Sequence, residues 1–168
     1  PPSLLKAVTG KRLTEGQLFC AALQIARGMR AIHEADMTHG DLRAANVMVG
    51  PIGNRRCRIT DFGLSRMMTT GSTSYAYGPV VPGPAAAGGA DEQQSTALHW
   101  RAPEWSKFGD STLKKELLEK TDVFSFGIVM YEMISGGKTP CSGAADSEVV
   151  RNYWKERYGF GTFKDEWS

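Results

Sequence analysis

The sequence predicts a mainly α fold with one small β-hairpin set between its helices. Three observations predict it. A capping-box pattern, Thr14 followed by Gln17, opens a run in which Leu18, Ala22, Ile25, Ala26, Met29 and Ile32 recur three and four residues apart. The stretch KTDVFSFGIVMYEMISGG, residues 120–137, is apolar almost all round. Between these two, NVMV and RCRIT are short and β-prone, and they flank the turn chemistry of GPIGN.

Taken in order, SLLKAV (residues 3–8) reads as a short helix with Ser3 as its N-cap. TGKRL breaks it. The long amphipathic helix runs from about Thr14 to Glu34. Gly28 inside it costs about 1 kcal/mol relative to Ala, which points to close packing there. The hairpin pairs residues 46–49 with 56–60. Residues 71–90, GSTSYAYGPVVPGPAAAGGA, show no period and read as a flexible, low-complexity insert extending to about residue 95. A buried helix is expected from about Thr121 to Ile134, closed by Gly136 and Gly137. A last amphipathic helix is expected from about Ala145 to Arg157.

Composition removes several classes of function. With 168 residues the chain is long enough for one domain with its own core. A net charge of +2 gives no basis for nucleic acid as a partner. No apolar run reaches the roughly 18 residues of a membrane span. Cys20, Cys57 and Cys141 are odd in number and have no CxxC pair, which fits reduced thiols in a cytosolic setting. The Pro1-Pro2 start and the FKDEWS stop suggest a piece of a longer protein.

The chemistry is concentrated in THGDLRAANVMV, residues 38–49, and in DFGLSR, which follows the second strand of the hairpin. In order come His39, Asp41 and Asn46, then Asp61, Phe62 and Gly63, then APE ending at Glu104, then Asp122 at the start of the apolar helix. This series resembles the protein kinase family, whose catalytic loop reads HRDLxxxN, whose metal loop reads DFG and whose activation segment ends in APE. The resemblance runs from about Leu4 to Tyr158. It implies the mainly α large C-terminal lobe of a kinase domain, with the small β-hairpin at the active site and the N-terminal lobe missing. The whole of residues 1–168 would be a partial kinase domain, with a catalytic loop at 39–46 and an activation segment at 61–104.

The resemblance also implies roles. Phosphoryl transfer needs an aligned hydroxyl and cations bridging the phosphates, with little covalent work by the protein. Asp41 would take the acceptor hydroxyl. Arg43 would lie near the transferred phosphate. Asn46 and Asp61 would bind Mg²⁺, or Mn²⁺, and through it ATP. His39, Phe62, Gly63, Glu104 and Asp122 would be structural. The partner would be a protein substrate lying near Trp100 and Arg101. DLRAAN and ALHWRAPE resemble the tyrosine-kinase and tyrosine-kinase-like groups, which favours tyrosine over serine or threonine as acceptor. Ala97, where tyrosine kinases usually carry Pro, counts the other way. The setting implied is cytoplasmic, whether a free enzyme or the cytosolic part of a membrane receptor.

Three departures keep rivals open. Gly40 stands where the family has the HRD Arg that pairs with a phosphorylated activation segment. The segment to Glu104 is long, and within it Thr69, Thr70, Tyr75 and Tyr77 are candidate phosphosites. The glycine-rich loop, the β3 Lys and the αC Glu are not in this sequence. The rivals are a pseudokinase or scaffold, and an inactive fragment of an active kinase.

Overall fold

Ser3 starts the first helix by accepting the Lys6 amide on its hydroxyl at 3.3 Å, and α1 runs Leu4–Thr9. The computed structural model describes residues 1–51, 56–62, 65–67, 98–102 and 115–140. The expected insert at 71–95, the last helix at 145–157, Cys141, and the site candidates Gly63, Thr69, Thr70, Tyr75, Tyr77 and Glu104 lie outside these residues.

The second helix, α2, is Glu15–Glu34 with Thr14 as its N-cap. The capping box forms in both directions. Gln17 N–H donates to Thr14 Oγ1 at 3.3 Å, and Thr14 N–H donates to Gln17 Oε1 at 3.0 Å. Ala21, Ala22, Ile25 and Met29 are buried, with Leu18 and Ile32 packed against them. The expected inner face needs one correction. Ala26 is exposed, because it sits beside the open groove between α2 and the last described helix, while Ala21 takes its place inside. Gly28 is a close approach: a Cβ there would lie 2.9 Å from Ile59 Cδ1.

After α2 come β1 (Met37–Thr38), a single 3₁₀ turn at Ala44–Asn46, β2 (Val47–Val49), β3 (Cys57–Ile59) and β4 (Arg66–Met67). The expected hairpin is β2–β3, antiparallel, with Val47 opposite Ile59 and Val49 opposite Cys57. Cys57 N–H donates to Gln24 Oε1 at 2.9 Å, which ties the hairpin to α2. A second antiparallel pair, β1–β4, is two residues long on each side. No alternation pattern exists over two residues, so nothing in the sequence announced it.

The last described helix, α3, is Lys115–Ser135 and begins six residues before the expected Thr121. Gly136 (φ 77°) and Gly137 (φ 92°) close it as expected, with Gly137 N–H bonded to Glu132 O at 2.7 Å. The expectation of a helix buried all round is corrected. Val123, Met130, Tyr131 and Ile134 are exposed, so Met130 is not the packing residue that its apolar run suggested. The buried side carries Thr121, Asp122, Ser125 and Glu132 beside Ile128, Val129 and Met133. Asp122 and Glu132 can be buried there because they accept bonds from neighbouring segments, and Ser125 because it donates to the Trp100 and Thr121 carbonyls. Among the described residues no helix is long and apolar enough to cross a membrane.

The result is mostly helical, with small antiparallel pairs. Leu4, Ile25, Leu42, Val47 and Val129 are completely buried where α1, α2, β2 and α3 meet. That core is the floor under residues 38–46.

Candidate active site

The polar loop 39–43 crosses the buried face of α3, and Asp122 holds it there. Oδ2 of Asp122 accepts the His39 amide at 2.9 Å and His33 Nε2 at 2.9 Å, while Oδ1 accepts the Gly40 amide at 2.9 Å. Gly40 has φ 77°, a left-handed conformation that glycine adopts without a Cβ clash. Two adjacent N–H groups can therefore point at one carboxylate.

His39 is completely buried and bonded on both ring nitrogens. Its Nε2 donates to Thr60 O at 3.0 Å, so Nδ1 is the acceptor of the Asp41 amide at 3.2 Å. Its carbonyl accepts Ser65 Oγ–H at 3.2 Å, and the Phe62 ring lies against it with centroids 5.1 Å apart. Phe62 is itself 46% exposed, so it covers the imidazole from the solvent side. One histidine thus links the loop to residues 60–65 on the far side of the hairpin.

Asp41, Arg43 and Asn46 come together through a single oxygen. Asp41 Oδ2 accepts Arg43 Nη2 at 2.9 Å and Asn46 Nδ2 at 2.9 Å. The same Asn46 nitrogen also donates to the Asp41 carbonyl at 2.8 Å. Both amide hydrogens of Asn46 are thereby used, which leaves its oxygen as the outward group. Among the described residues Asp41 Oδ1 accepts no bond. The Ala44–Asn46 turn makes this geometry, because it places position 46 back over position 41.

Asp61 is brought to the same place by the hairpin. Thr60 donates to the Asn46 carbonyl twice, from N at 2.8 Å and from Oγ1 at 3.0 Å. The next residue, Asp61, is exposed and has φ 66°. A non-glycine residue there costs about 1 kcal/mol or more and persists where its surroundings impose it.

Two oxygen donors, one amide and one carboxylate, therefore stand on adjacent chain segments. Among the described residues no group of three or more His, Cys, Asp or Glu gathers to hold a metal. That set does not suit zinc or iron. It does suit Mg²⁺, a hard cation that takes one or two protein oxygens and completes its shell with water and substrate phosphates.

Several residues that complete this site were missed from the sequence. His33, Thr60 and Ser65 carry ordinary polar side chains with no distinguishing spacing. Glu132 did leave a signal: it is an acid inside the otherwise apolar run FSFGIVMYEMI. It is 1% exposed, and its Oε2 accepts the Ala44 amide at 3.0 Å and Trp100 Nε1 at 2.9 Å. Burial raises its carboxyl above the ordinary glutamate value, and the bonds from Trp100 and Ala44 and the charge of Arg43 oppose that rise.

Compared with known families, the chain matches a family model described as protein tyrosine and serine/threonine kinase, over residues 3–165.

Proposed function

Since the chain belongs to the protein tyrosine and serine/threonine kinase family, we propose that it is the large-lobe part of an ATP- and Mg²⁺-dependent protein kinase whose chemistry is carried by Asp41, Asn46 and Asp61. One observation carries this reading: the Asp41–Arg43–Asn46 cluster is clamped to α3 and set beside Asp61. A loop that only turned the chain would have no need of two buried carboxylates, Asp122 and Glu132, to hold it.

In this reading Asp41 Oδ1 receives the acceptor hydroxyl and orients it for in-line attack. Oδ2 stays engaged by Arg43 and Asn46, which fixes the carboxylate plane. Asn46 Oδ1 and the Asp61 carboxylate hold the cation. A Mg²⁺ held by those two residues would neutralise charge on the phosphate oxygens. Arg43 supplies a guanidinium within reach of the phosphate being moved. ATP would sit between this lobe and a kinase N-terminal lobe. The acceptor is a protein hydroxyl, tyrosine before serine or threonine on the strength of DLRAAN and HWRAPE. The setting is the cytosol.

The test is ATP-dependent phosphorylation by the full-length protein, with phosphotyrosine scored apart from phosphoserine and phosphothreonine. Asp41→Asn and Asp61→Asn are each expected to lower turnover roughly a hundredfold or more. A well-folded wild type with no transfer in either Mg²⁺ or Mn²⁺ would sink the enzyme reading and leave a scaffold in its place.

A further inference from the structure

We propose that His99 is a specificity-determining residue for the acceptor: its imidazole offers one hydrogen-bond acceptor, Nε2, to a neutral donor side chain (Ser, Thr, Asn or Gln) flanking the residue to be phosphorylated. This rests on the kinase reading above.

His99 is the middle residue of a 3₁₀ turn, Leu98–Trp100, and is half-buried. Its Nδ1 lies 3.1 Å from the Pro140 carbonyl oxygen. A carbonyl only accepts, so Nδ1 carries the hydrogen. In the neutral ring that makes Nε2 the acceptor. Among the described residues Nε2 has no bonded partner.

The segments on both sides of the ring are braced. Trp100, the next residue, is held at its carbonyl by Ser125 Oγ–H at 2.7 Å and at its indole by Glu132 Oε2 at 2.9 Å. The indole meets the His99 ring edge-on, with centroids 6.1 Å apart. Pro140 ends a loop closed by Gly137 N–H to Glu132 O at 2.7 Å and by Ser135 Oγ–H to Lys138 O at 2.9 Å. A ring pinned at one nitrogen between two braced segments presents the other nitrogen in one direction. Such preorganisation lets a single bond discriminate between partners.

Charge selects the kind of donor. Arg101 follows Trp100 in the chain, Lys138 belongs to the bonded loop, and the Arg43 guanidinium carbon lies 5.7 Å from the Trp100 ring centroid. A Lys or Arg on the peptide would approach these like charges. Asp or Glu has no proton to donate and would face the Nε2 lone pair. A neutral hydroxyl or carboxamide meets neither obstacle.

The experiment uses the full-length protein at about pH 8, where histidine is ordinarily neutral, with His99→Gln, His99→Lys and His99→Leu. The first readout is the histidine-selective ¹⁵N NMR spectrum, in which His99 is assigned by the loss of its signals in His99→Gln. It should show hydrogen on Nδ1 and none on Nε2. The second readout is phosphorylation of a peptide library varied at each position flanking the acceptor, scored with Asn and Gln so that no second hydroxyl is phosphorylated. At one flanking position the wild type should favour Asn or Gln over Leu and over Asp roughly fivefold. His99→Gln can donate its amide to Pro140 and keep an oxygen outward, so it should retain that preference. His99→Lys, a donor only, should invert it toward Asp and Glu at the same position. His99→Leu should favour neither. Inversion, as opposed to loss, separates reading of the peptide from a merely structural role.

Hydrogen on Nε2 in place of Nδ1 would overturn the geometry. A library with no position whose preference follows residue 99 would overturn the specificity role. A folded wild type that phosphorylates no peptide while Nδ1 stays protonated would instead overturn the kinase reading, and the specificity role with it.

Discussion

Asp122 and Glu132 are two buried acids on one helix that hold the loop through different sets of bonds. Asp122 commits both oxygens, to two loop amides and an imidazole. Replacing it by Ala would strand buried donors, each worth about 1–3 kcal/mol when left unmade. Asp122→Ala is therefore expected to cost about 3 kcal/mol or more, read as a lower urea midpoint at unchanged slope. A loss under about 1 kcal/mol would show that the loop does not depend on this clamp. Glu132 is held less completely, and burial leaves its carboxyl above the ordinary value of 4.5. The folded state then keeps a proton that the unfolded chain releases. Stability from this group is full below the unfolded value and is lost as pH rises through the folded one. Glu132→Gln removes that titration. Its stability relative to wild type should improve between about pH 4 and about pH 7, as measured by urea unfolding at both. A relative change in the other direction would mean that the ionised carboxylate is the better-held form.

At the scale of elements, what was legible followed from how local each signal is. The α2 start was readable because a capping box involves only residues 14 and 17 and the backbone between them. Thr14→Ala should lower the unfolding free energy by about 1 kcal/mol, checked by thermal or urea unfolding, because the Oγ1 acceptor of the Gln17 amide is lost with the hydroxyl. No measurable change would show the first turn to be held by packing alone. The hairpin was readable because its two strands and turn lie within one short stretch. The β1–β4 pair was not, since Met37 and Met67 are 30 residues apart and neither sits in a periodic run. The inner face of α3 was misread for a related reason. Apolarity suggested burial all round, yet the residues turned inward include Asp122, Ser125 and Glu132, whose partners outside the helix lie 25 to 89 residues away. Sequence pattern reports the periodicity of one element and carries no record of the donors that a distant loop will bring to it.

For the molecule as a whole, the order of motifs made the family visible, and the geometry adds how the loop is held. Asp41, Asn46 and Asp61 stood out because few other patterns put those residue types in that order. Residue 40 is where the chain departs from its family, and there the structure has a consequence. The loop is fixed by Asp122 from α3, by Glu132 through Ala44, and by Thr60 through Asn46. None of these clamps uses a phosphate. Gly40 takes φ 77° freely, whereas a side chain there would cost about 1–2 kcal/mol. Gly40 also lacks the guanidinium through which an activation-segment phosphate would act. Transfer by the full-length protein is therefore expected to survive dephosphorylation. After phosphatase treatment verified by mass spectrometry, kcat/KM should stay within about threefold of the untreated enzyme, a difference of under 1 kcal/mol in the barrier. Substituting Ala for Thr69, Thr70, Tyr75 and Tyr77 together gives no loss in this view, or the same small one. A fall of about tenfold or more in both experiments would mean that a phosphate in this segment reaches the site by a route other than residue 40. If the fall appears after phosphatase but not in the substituted protein, the phosphate that matters lies outside these four positions. In either case the clamps on α3 would be insufficient, and preorganisation of the loop would have to be completed by modification.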